Sequence, residues 1–240
     1  MTVYRRPDPI PLHRSRPAAD FALHAVRPEQ EDLHRLVSRQ IFAAIWAGRY
    51  PEGSILPNEQ ALSEELGVSR TALREAVKGL AAKGLLETRR RRGTIVLARG
   101  RWNFLDAEII EWLRRDEPDA VSDELWHAVA AVLPGLAAAA ATRGVPLQVA
   151  AGDAEDVLAG RLSVLLELAR LAGNRFLLSL VSISLLDLCA ADPALFARRT
   201  EWLDARAARA LAELVAGRRA DEAALWVKER LRGPAELPVA

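Results

Sequence analysis

Residues 58–97 carry two short helical patterns joined by a tight turn and followed by a hairpin pattern. Asn58 is a favourable N-cap for the first helix, and Gly67 stands where a left-handed residue ends a helix. Ser69 then caps a second helix over residues 70–83, which Gly84 stops. Two short helices at this spacing predict a helix-turn-helix, which limits the folds open to this part of the chain.

The hairpin pattern lies just beyond Gly84. Residues 85–88 and 94–97 are strand-like and flank the run Arg89-Arg90-Arg91-Arg92-Gly93. Upstream, a short edge strand is expected over residues 53–57, bounded by helix- and strand-breaking residues. A helical pattern precedes it, with an apolar face made of Leu33, Leu36, Val37, Ile41, Ala44 and Ile45. Together these elements predict a winged helix-turn-helix.

The remainder of the chain has long helical patterns, separated by Pro, Gly and Asn breakers, and no strand-like alternation. We therefore expect a mainly α fold, in which a winged helix-turn-helix with a small β-hairpin precedes an all-helical bundle of six or seven helices. The predicted divisions are a flexible basic arm at 1–27, the winged domain at 28–98, a linker at 99–105, and a helical domain at 106–240.

Charge is distributed unevenly along the chain. Lys plus Arg (33) almost balances Asp plus Glu (32), which by itself argues against a nucleic-acid binder. However, residues 1–101 hold 18 basic and 11 acidic side chains, whereas residues 102–240 hold 15 and 21. A basic half and an acidic half indicate a module that faces a polyanion, joined to one that does not.

The second helix of the predicted helix-turn-helix separates its side chains into two faces. At about 100° per residue its apolar residues, Leu73, Ala76, Val77 and Leu80, cluster on one side. Nearly opposite are four hydrogen-bond donors, Arg70, Thr71, Arg74 and Lys78. Arginine pairs bidentately with guanine or phosphate, so this face suits the major groove of DNA. A solvated charged face is the alternative for such a cluster, and an RNA surface or a solvated loop is the alternative for the arginine run.

The predicted DNA contacts come from the first helix, the second helix and the hairpin. They are Asn58, Gln60, Ser69, Arg70, Thr71, Arg74, Lys78, Arg89, Arg90, Arg91, Arg92, Gly93 and Thr94. Four adjacent arginines on a tight turn repel one another unless a polyanion is near, and Gly93 is expected to let the backbone approach the duplex closely.

These residues carry a resemblance to a known family. The segments Leu56-Pro57-Asn58-Glu59, Glu65-Leu66-Gly67-Val68-Ser69-Arg70, Leu73-Arg74-Glu75-Ala76 and Gly84-Leu85-Leu86, with the wing ending Gly93-Thr94, resemble the DNA-binding domain of the GntR family of bacterial transcription regulators. The resemblance covers about residues 30–98. It implies that Arg70 and Arg74 contact DNA with help from Thr71, and that the wing reaches a groove. Many members have arginine where this chain has Gln60.

The second half resembles the FadR subgroup of that family, in particular its sugar-acid (galactonate-type) repressors. The carrying residues are Trp102-Asn103-Phe104-Leu105-Asp106, Trp112 and Ala172-Gly173-Asn174. The resemblance implies a homodimer, a pseudo-palindromic operator of double-stranded DNA, and an effector cavity in the bundle. It also implies repression that a small carboxylate relieves.

The metal site of many subgroup members is expected to be absent. The positions of its Asp and three His ligands correspond to Arg161, Leu165, Arg206 or Ala207, and about Arg230, none of which suits a divalent metal. The arginines are candidates to hold a carboxylate instead. The candidate effector residues are His127, Arg161, Asn174, Arg206 and Arg230. For the arginines and His127 the alternative is an ordinary surface position.

No set of catalytic residues is recognisable. The lone Cys189 has no histidine partner in its half, and no phosphate-binding glycine loop is present, so neither an enzyme nor a cofactor is expected. No membrane-spanning apolar run or secretory signal is expected, which suggests a cytoplasmic protein. We therefore predict a ligand-responsive repressor of a carbohydrate or organic-acid operon. The alternative is an architectural or constitutive DNA-binding protein whose helical domain serves dimerisation only.

Overall fold

The computed structural model describes residues 33–149 and 157–232. The predicted basic arm, residues 1–27, lies outside the described residues. Internal contacts divide the chain into two compact units, Met1–Asp106 and Ala107–Ala240. The two units are described separately below.

The first unit is a winged helix-turn-helix, as predicted. Its described elements are α1 (Leu33–Trp46), α2 (Glu59–Leu66), α3 (Arg70–Ala82), β1 (Leu86–Arg89), β2 (Gly93–Val96) and a 3₁₀ turn (Arg99–Arg101). The strands are antiparallel, with Leu86 opposite Val96 and Arg89 opposite Gly93. The four-residue strands thus form the wing, and residues 90–92 form its tip.

The core of this unit lies where α3 packs on α1. Val37 and Ile41 of α1 are fully buried, and Leu73 and Leu80 of α3 are almost completely buried. The buried Ser38 hydroxyl donates to the Ala76 carbonyl oxygen at 3.4 Å, which ties the two helices together across their interface. The apolar face expected for α3 is therefore the face that is buried.

The predicted edge strand over residues 53–57 is reduced to a single bridge between Ile55 and Ile95. The segment still pairs with β2, because Gly53 N–H donates to the Val96 carbonyl at 2.8 Å and Leu56 N–H donates to the Thr94 carbonyl at 2.9 Å. Pro57 has no N–H to extend the pairing, and the cap of α2 follows at once. The prediction of a full strand was therefore wrong, although the segment lies along the wing.

The interval 99–105, expected to be a linker, packs within the first unit. Trp102 is only 6% exposed, and its indole N–H donates to the Leu97 carbonyl at 3.0 Å. Its ring lies 6.2 Å from the rings of Phe42 and Trp46, and 5.7 Å from that of Phe104. Burying this aromatic cluster removes a large apolar area from water, which explains why the interval is ordered against α1.

The described part of the second unit contains seven helices, within the predicted number of six or seven. They are α4 (Ala107–Asp116), α5 (Pro118–Arg143), α6 (Val157–Leu171), α7 (Arg175–Ala191), α8 (Pro193–Arg199), α9 (Ala205–Ala216) and α10 (Ala220–Leu231). Several of these helices begin or end at breakers read from the sequence. For example, Gly144 ends α5 in a left-handed conformation, and the Asn174 side chain caps α7.

The long helix α5 is the centre of this unit and packs against α4, α6, α7, α9 and α10. It is apolar around most of its circumference, which is typical of a helix buried in a core. By length and composition alone α5 is able to cross a membrane, and 44% of its most apolar 18-residue window is buried. Residues 125–142 hold no Asp, Glu, Lys or Arg, so the expectation that the chain has no such run was wrong for α5.

Gly84 is expected to be the least replaceable glycine among those described in the first unit. Its φ is +81°, and a Cβ there would lie 2.2 Å from the Arg101 carbonyl oxygen. Gly53 is a matched control, because its φ is +79° but nothing lies within 4 Å of its Cβ position. Gly53→Ala should cost about 1–2 kcal/mol of stability from backbone strain alone. Gly84→Ala should cost more, as measured by hydrogen exchange of the α3 amides, and equal losses would contradict the clash.

Candidate nucleic-acid interface

Local capping sets the start of both helices in the helix-turn-helix. Asn58 Oδ1 accepts a hydrogen bond from Ala61 N–H at 2.9 Å, and Ser69 Oγ accepts one from Ala72 N–H at 3.2 Å. Both capping side chains are exposed. Because the Ser69 oxygen is the acceptor in its cap, its hydroxyl proton remains available to a phosphate, and so do the amide protons of Asn58.

The four predicted donors on α3 all lie on its exposed side, and we call them the donor strip: Arg70, Thr71, Arg74 and Lys78. The opposite side of the helix is anchored in the core of the unit by Leu73, Ala76 and Leu80. This two-sided arrangement presents hydrogen-bond donors on a helix that is held from behind, as a helix that enters the major groove requires.

An ion pair holds one member of the donor strip. Arg74 Nε donates to Glu59 Oε2 at 2.8 Å, and Arg74 Nη2 lies 2.8 Å from the same oxygen. This hydrogen bond lowers the pKa of Glu59 below its ordinary value, and the nearby charge of Arg70 adds to the lowering. The same bond raises the pKa of Arg74. Glu59 therefore holds the Arg74 guanidinium at the start of α2, while the pair remains accessible to solvent.

Two other predicted contact residues also have carboxylate partners on their own helices. Lys78 Nζ donates to Glu75 at 2.8 Å, and Gln60 Nε2 donates to Glu64 at 3.0 Å. Such exposed pairs on one helix contribute only a few tenths of a kcal/mol, so a phosphate or base is able to displace them.

The wing presents its arginines at an exposed tip. Arg90, Arg91 and Arg92 are all exposed, and no carboxylate partner for them occurs within residues 33–149 and 157–232. Arg91 has a φ of +64°, a left-handed conformation that makes the tight turn. In contrast, Arg89 is paired with Glu87, which lowers the pKa of that carboxyl group. The unpaired cations of the wing are therefore concentrated at its tip.

The structure gives a different reason for Gly93 than the one expected from sequence. Its φ is +90°, and a Cβ there would lie 3.1 Å from Ile55 Cγ2. Glycine is therefore favoured by the backbone conformation and by the segment that lies along β2, and its close approach to DNA remains a prediction. Thr94, beside it, is half-buried, and its hydroxyl lies 3.2 Å from that of Thr88.

Comparison with known proteins agrees with this geometry. Residues 33–96 match the family model described as "Bacterial regulatory proteins, gntR family". This segment is a gntR-family domain. The resemblance stated from the sequence motifs is thereby confirmed for the winged unit.

Three curated relatives each match less than half of this chain. Over 88 residues, 37% of this chain and 38% of the relative, the chain is 46% identical to an uncharacterized HTH-type transcriptional regulator, YieP, of Escherichia coli. Over 72 residues, 30% and 31%, it is 42% identical to the galactonate operon transcriptional repressor of Escherichia coli. Over 98 residues, 41% and 40%, it is 41% identical to a fatty acid metabolism regulator protein of Edwardsiella ictaluri.

The matches therefore span two fifths or less of the length of these relatives. All three are named as regulators, and none of the three is named as an enzyme, in agreement with the prediction that the chain is not an enzyme.

The five candidate effector residues of the helical unit do not share one cavity. Asn174 caps α7, accepting from Phe176 N–H and Leu177 N–H, so its oxygen serves the helix. His127 and Arg206 are exposed, and Arg161 Nη1 donates to the Ala197 carbonyl at 3.1 Å. Of the five, only Arg230 lines either of the two main cavities found among the described residues.

The position corresponding to the first histidine ligand of the subgroup's metal site, Leu165, is fully buried in the helical core. Among residues 33–149 and 157–232, no three His, Cys, Asp or Glu side chains form a group able to hold a metal ion. The absence of a metal site remains a prediction for the whole chain.

Sequence reasoning missed Glu59 as a functional residue. Its sequence position is that of a helix-start carboxylate, favourable to the helix dipole, and it stands in the motif that carries the family resemblance. Its partner, Arg74, is 15 residues away, so no local pattern reveals the pair.

The Glu59 carboxyl group should titrate below the usual range of a glutamate. Because its pKa is lowered in the folded protein, the pair with Arg74 should persist at neutral pH and be lost only as pH falls through that lowered value. A ¹³C NMR titration should show the midpoint rising in Arg74→Ala. Arg70→Ala should give a smaller rise, because Arg70 acts only through its charge. No change in Arg74→Ala would disprove the pair.

Proposed function

We propose that this chain is a cytoplasmic transcription regulator that reads double-stranded operator DNA through its gntR-family domain. The observation that carries the proposal is the donor strip, which lies on the exposed side of a helix anchored in the core. The wing places further cations on the same compact unit. The names of the matched relatives support the same activity.

Within this proposal, α3 enters the major groove and the wing tip lies over the neighbouring backbone or minor groove. Arg70 and Arg74 are the base-reading side chains, because a guanidinium recognises guanine O6 and N7 together. Thr71, Ser69 and Lys78 supply hydrogen bonds to phosphate or bases. Each wing arginine adds charge that strengthens binding to any DNA sequence.

We further propose that the regulator acts as a homodimer, so that two α3 helices read a pseudo-palindromic operator. Large apolar side chains exposed on α7 support an interface in the helical unit. Phe176 is 80% exposed and Leu186 is 52% exposed, and burying them against a second copy would remove apolar surface from water. The mass measured by analytical ultracentrifugation tests this, and a monomer at micromolar concentration would contradict it.

The helical unit is proposed to bind a small carboxylate that releases the protein from its operator, as in a repressor of a carbohydrate or organic-acid operon. The similarity over 30% of this chain to a protein named as a galactonate operon transcriptional repressor supports this class of operon. Footprinting on the DNA upstream of its own gene tests whether the chain is a site-specific regulator or an architectural DNA-binding protein. A regulator should protect one short discrete site, whereas continuous protection would indicate an architectural protein.

Arg74→Ala should weaken operator binding by about 1–3 kcal/mol, as expected for the loss of a bidentate base contact. The loss should be partly restored in the Glu59→Gln/Arg74→Ala double variant, because Glu59 left alone is an unpaired negative charge beside the DNA. Arg209→Ala, an exposed substitution on α9, is the matched control and should bind normally. Gel-shift titration measures all three, and unchanged affinity in Arg74→Ala would disprove its role.

Replacing Arg90, Arg91 and Arg92 together by alanine should instead weaken binding to every DNA sequence. Each phosphate contact that is lost should reduce the slope of log affinity against log salt by about 0.9. Fluorescence anisotropy with operator and random duplexes at several salt concentrations measures both effects. A loss confined to the operator would show that the wing reads bases.

A further inference from the structure

A cavity of about 730 Å³ lies in the helical unit, where the ends of α8 and α10 approach α5. We call it the arginine pocket, after the side chains that dominate its lining: Arg198, Arg199, Arg230, Arg232, Trp126 and Trp202. Its volume is within the range of sites that hold small organic ligands. Nothing in the DNA-binding proposal uses these residues.

The lining of the arginine pocket carries excess positive charge. The lining includes four guanidinium groups and only two carboxylates, those of Glu201 and Glu229. Neither Arg198 nor Arg232 has a carboxylate partner within the described ranges. Cations held together around a concave surface repel one another, and a bound anion relieves that repulsion.

Arg199, in the lining of the pocket, has one N–H group without a hydrogen-bond acceptor among the described residues. Arg199 Nη2 donates to Asp123 at 2.9 Å, but Arg199 Nε is buried and lacks an acceptor among residues 33–149 and 157–232. This nitrogen has almost no accessible surface, so a ligand in the open pocket would pair with the exposed guanidinium groups of Arg198 and Arg232 and not with it. A carboxylate is the acceptor that a guanidinium binds best, since its two oxygens match two parallel N–H groups.

Aromatic side chains hold the cations and line the cavity. The Arg230 guanidinium lies 3.5 Å from the centre of the Trp226 ring, and its Nη1 donates to the Trp226 carbonyl at 3.3 Å. Trp202 contacts Trp226 edge-on, with ring centres 6.1 Å apart, and its indole N–H donates to the Arg199 carbonyl. The indole of Trp202 and the stacked guanidinium therefore provide flat surfaces next to the positive charges, which favour a planar ring.

We propose that the arginine pocket binds a small aromatic carboxylate, whose carboxylate group pairs with the arginines and whose ring lies against Trp202. Of the residues expected from sequence to contact an effector, this site includes Arg230 alone. Binding itself is independent of DNA. Its role as the regulatory signal rests on the proposed function.

The test is calorimetric titration of the full chain with 1-naphthoate, D-galactonate and inorganic phosphate. Naphthoate should bind saturably with one site per chain, and more tightly than the other two probes. Arg198→Met and Arg230→Met should each weaken naphthoate at least about tenfold, as expected for losing a charged hydrogen bond. Arg198 is exposed and unpaired, so Arg198→Met is not expected to disturb folding.

Arg209→Met is the matched control, since Arg209 is an exposed arginine on α9 outside the pocket. It should leave naphthoate binding unchanged. The proposal is overturned if naphthoate does not bind, or if Arg209→Met weakens it as much as Arg198→Met does. Equal binding of galactonate or phosphate would overturn the aromatic class of ligand.

Operator binding by the same preparations separates this inference from the proposed function. A chain that binds its operator but not naphthoate disproves only the pocket. A chain that binds naphthoate but no operator leaves the pocket standing and disproves the regulator. If both bind, addition of naphthoate should shift the operator affinity in the wild type and not in Arg198→Met.

Discussion

The packing of α3 on α1 is the interaction on which the DNA-binding surface depends. Leu73, Ala76 and Leu80 face inward because their burial is favourable, and this choice alone turns Arg70 and Arg74 outward. Because its apolar face is anchored in the core, α3 cannot rotate or shift as an isolated helix would, and its polar side chains keep a fixed direction. The chemistry of the donor strip is therefore a consequence of where the apolar residues of α3 fall.

Local signals in the sequence were sufficient for most of the fold. The caps at Asn58 and Ser69 are predictable because each side chain accepts from the N–H three residues later in the chain. Gly144 is likewise a local signal, because glycine readily adopts the left-handed conformation that ends α5. Contacts between distant residues could not be read in this way. The packing of Trp102 beside Phe42 and the bridge of Ile55 to Ile95 both arise from tertiary structure, and both corrected a local interpretation.

The candidate sites also divide into one that local signals predicted and one that depends on contacts between distant residues. The donor strip was predictable because helical periodicity places its four residues on one face. The arginine pocket was not, because its lining comes from α5, α8 and α10, which are far apart in the chain. The family resemblance selected Arg230 but also Asn174, which the structure uses as a helix cap. Position along a helix therefore predicted which face carries charge, but not which residues line a common cavity.

The segment along the wing has a further mechanical effect. Gly53 and Leu56 N–H groups donate to β2, and the Val96 N–H donates back to the Ser54 carbonyl, so this segment is stitched to the wing directly before Asn58 begins α2. A displacement of the wing is therefore transmitted through this segment to the start of α2. In the proposed complex, the protein therefore fixes the distance between the groove that α3 enters and the groove that the wing contacts. A DNA whose grooves are spaced differently must deform to match that distance.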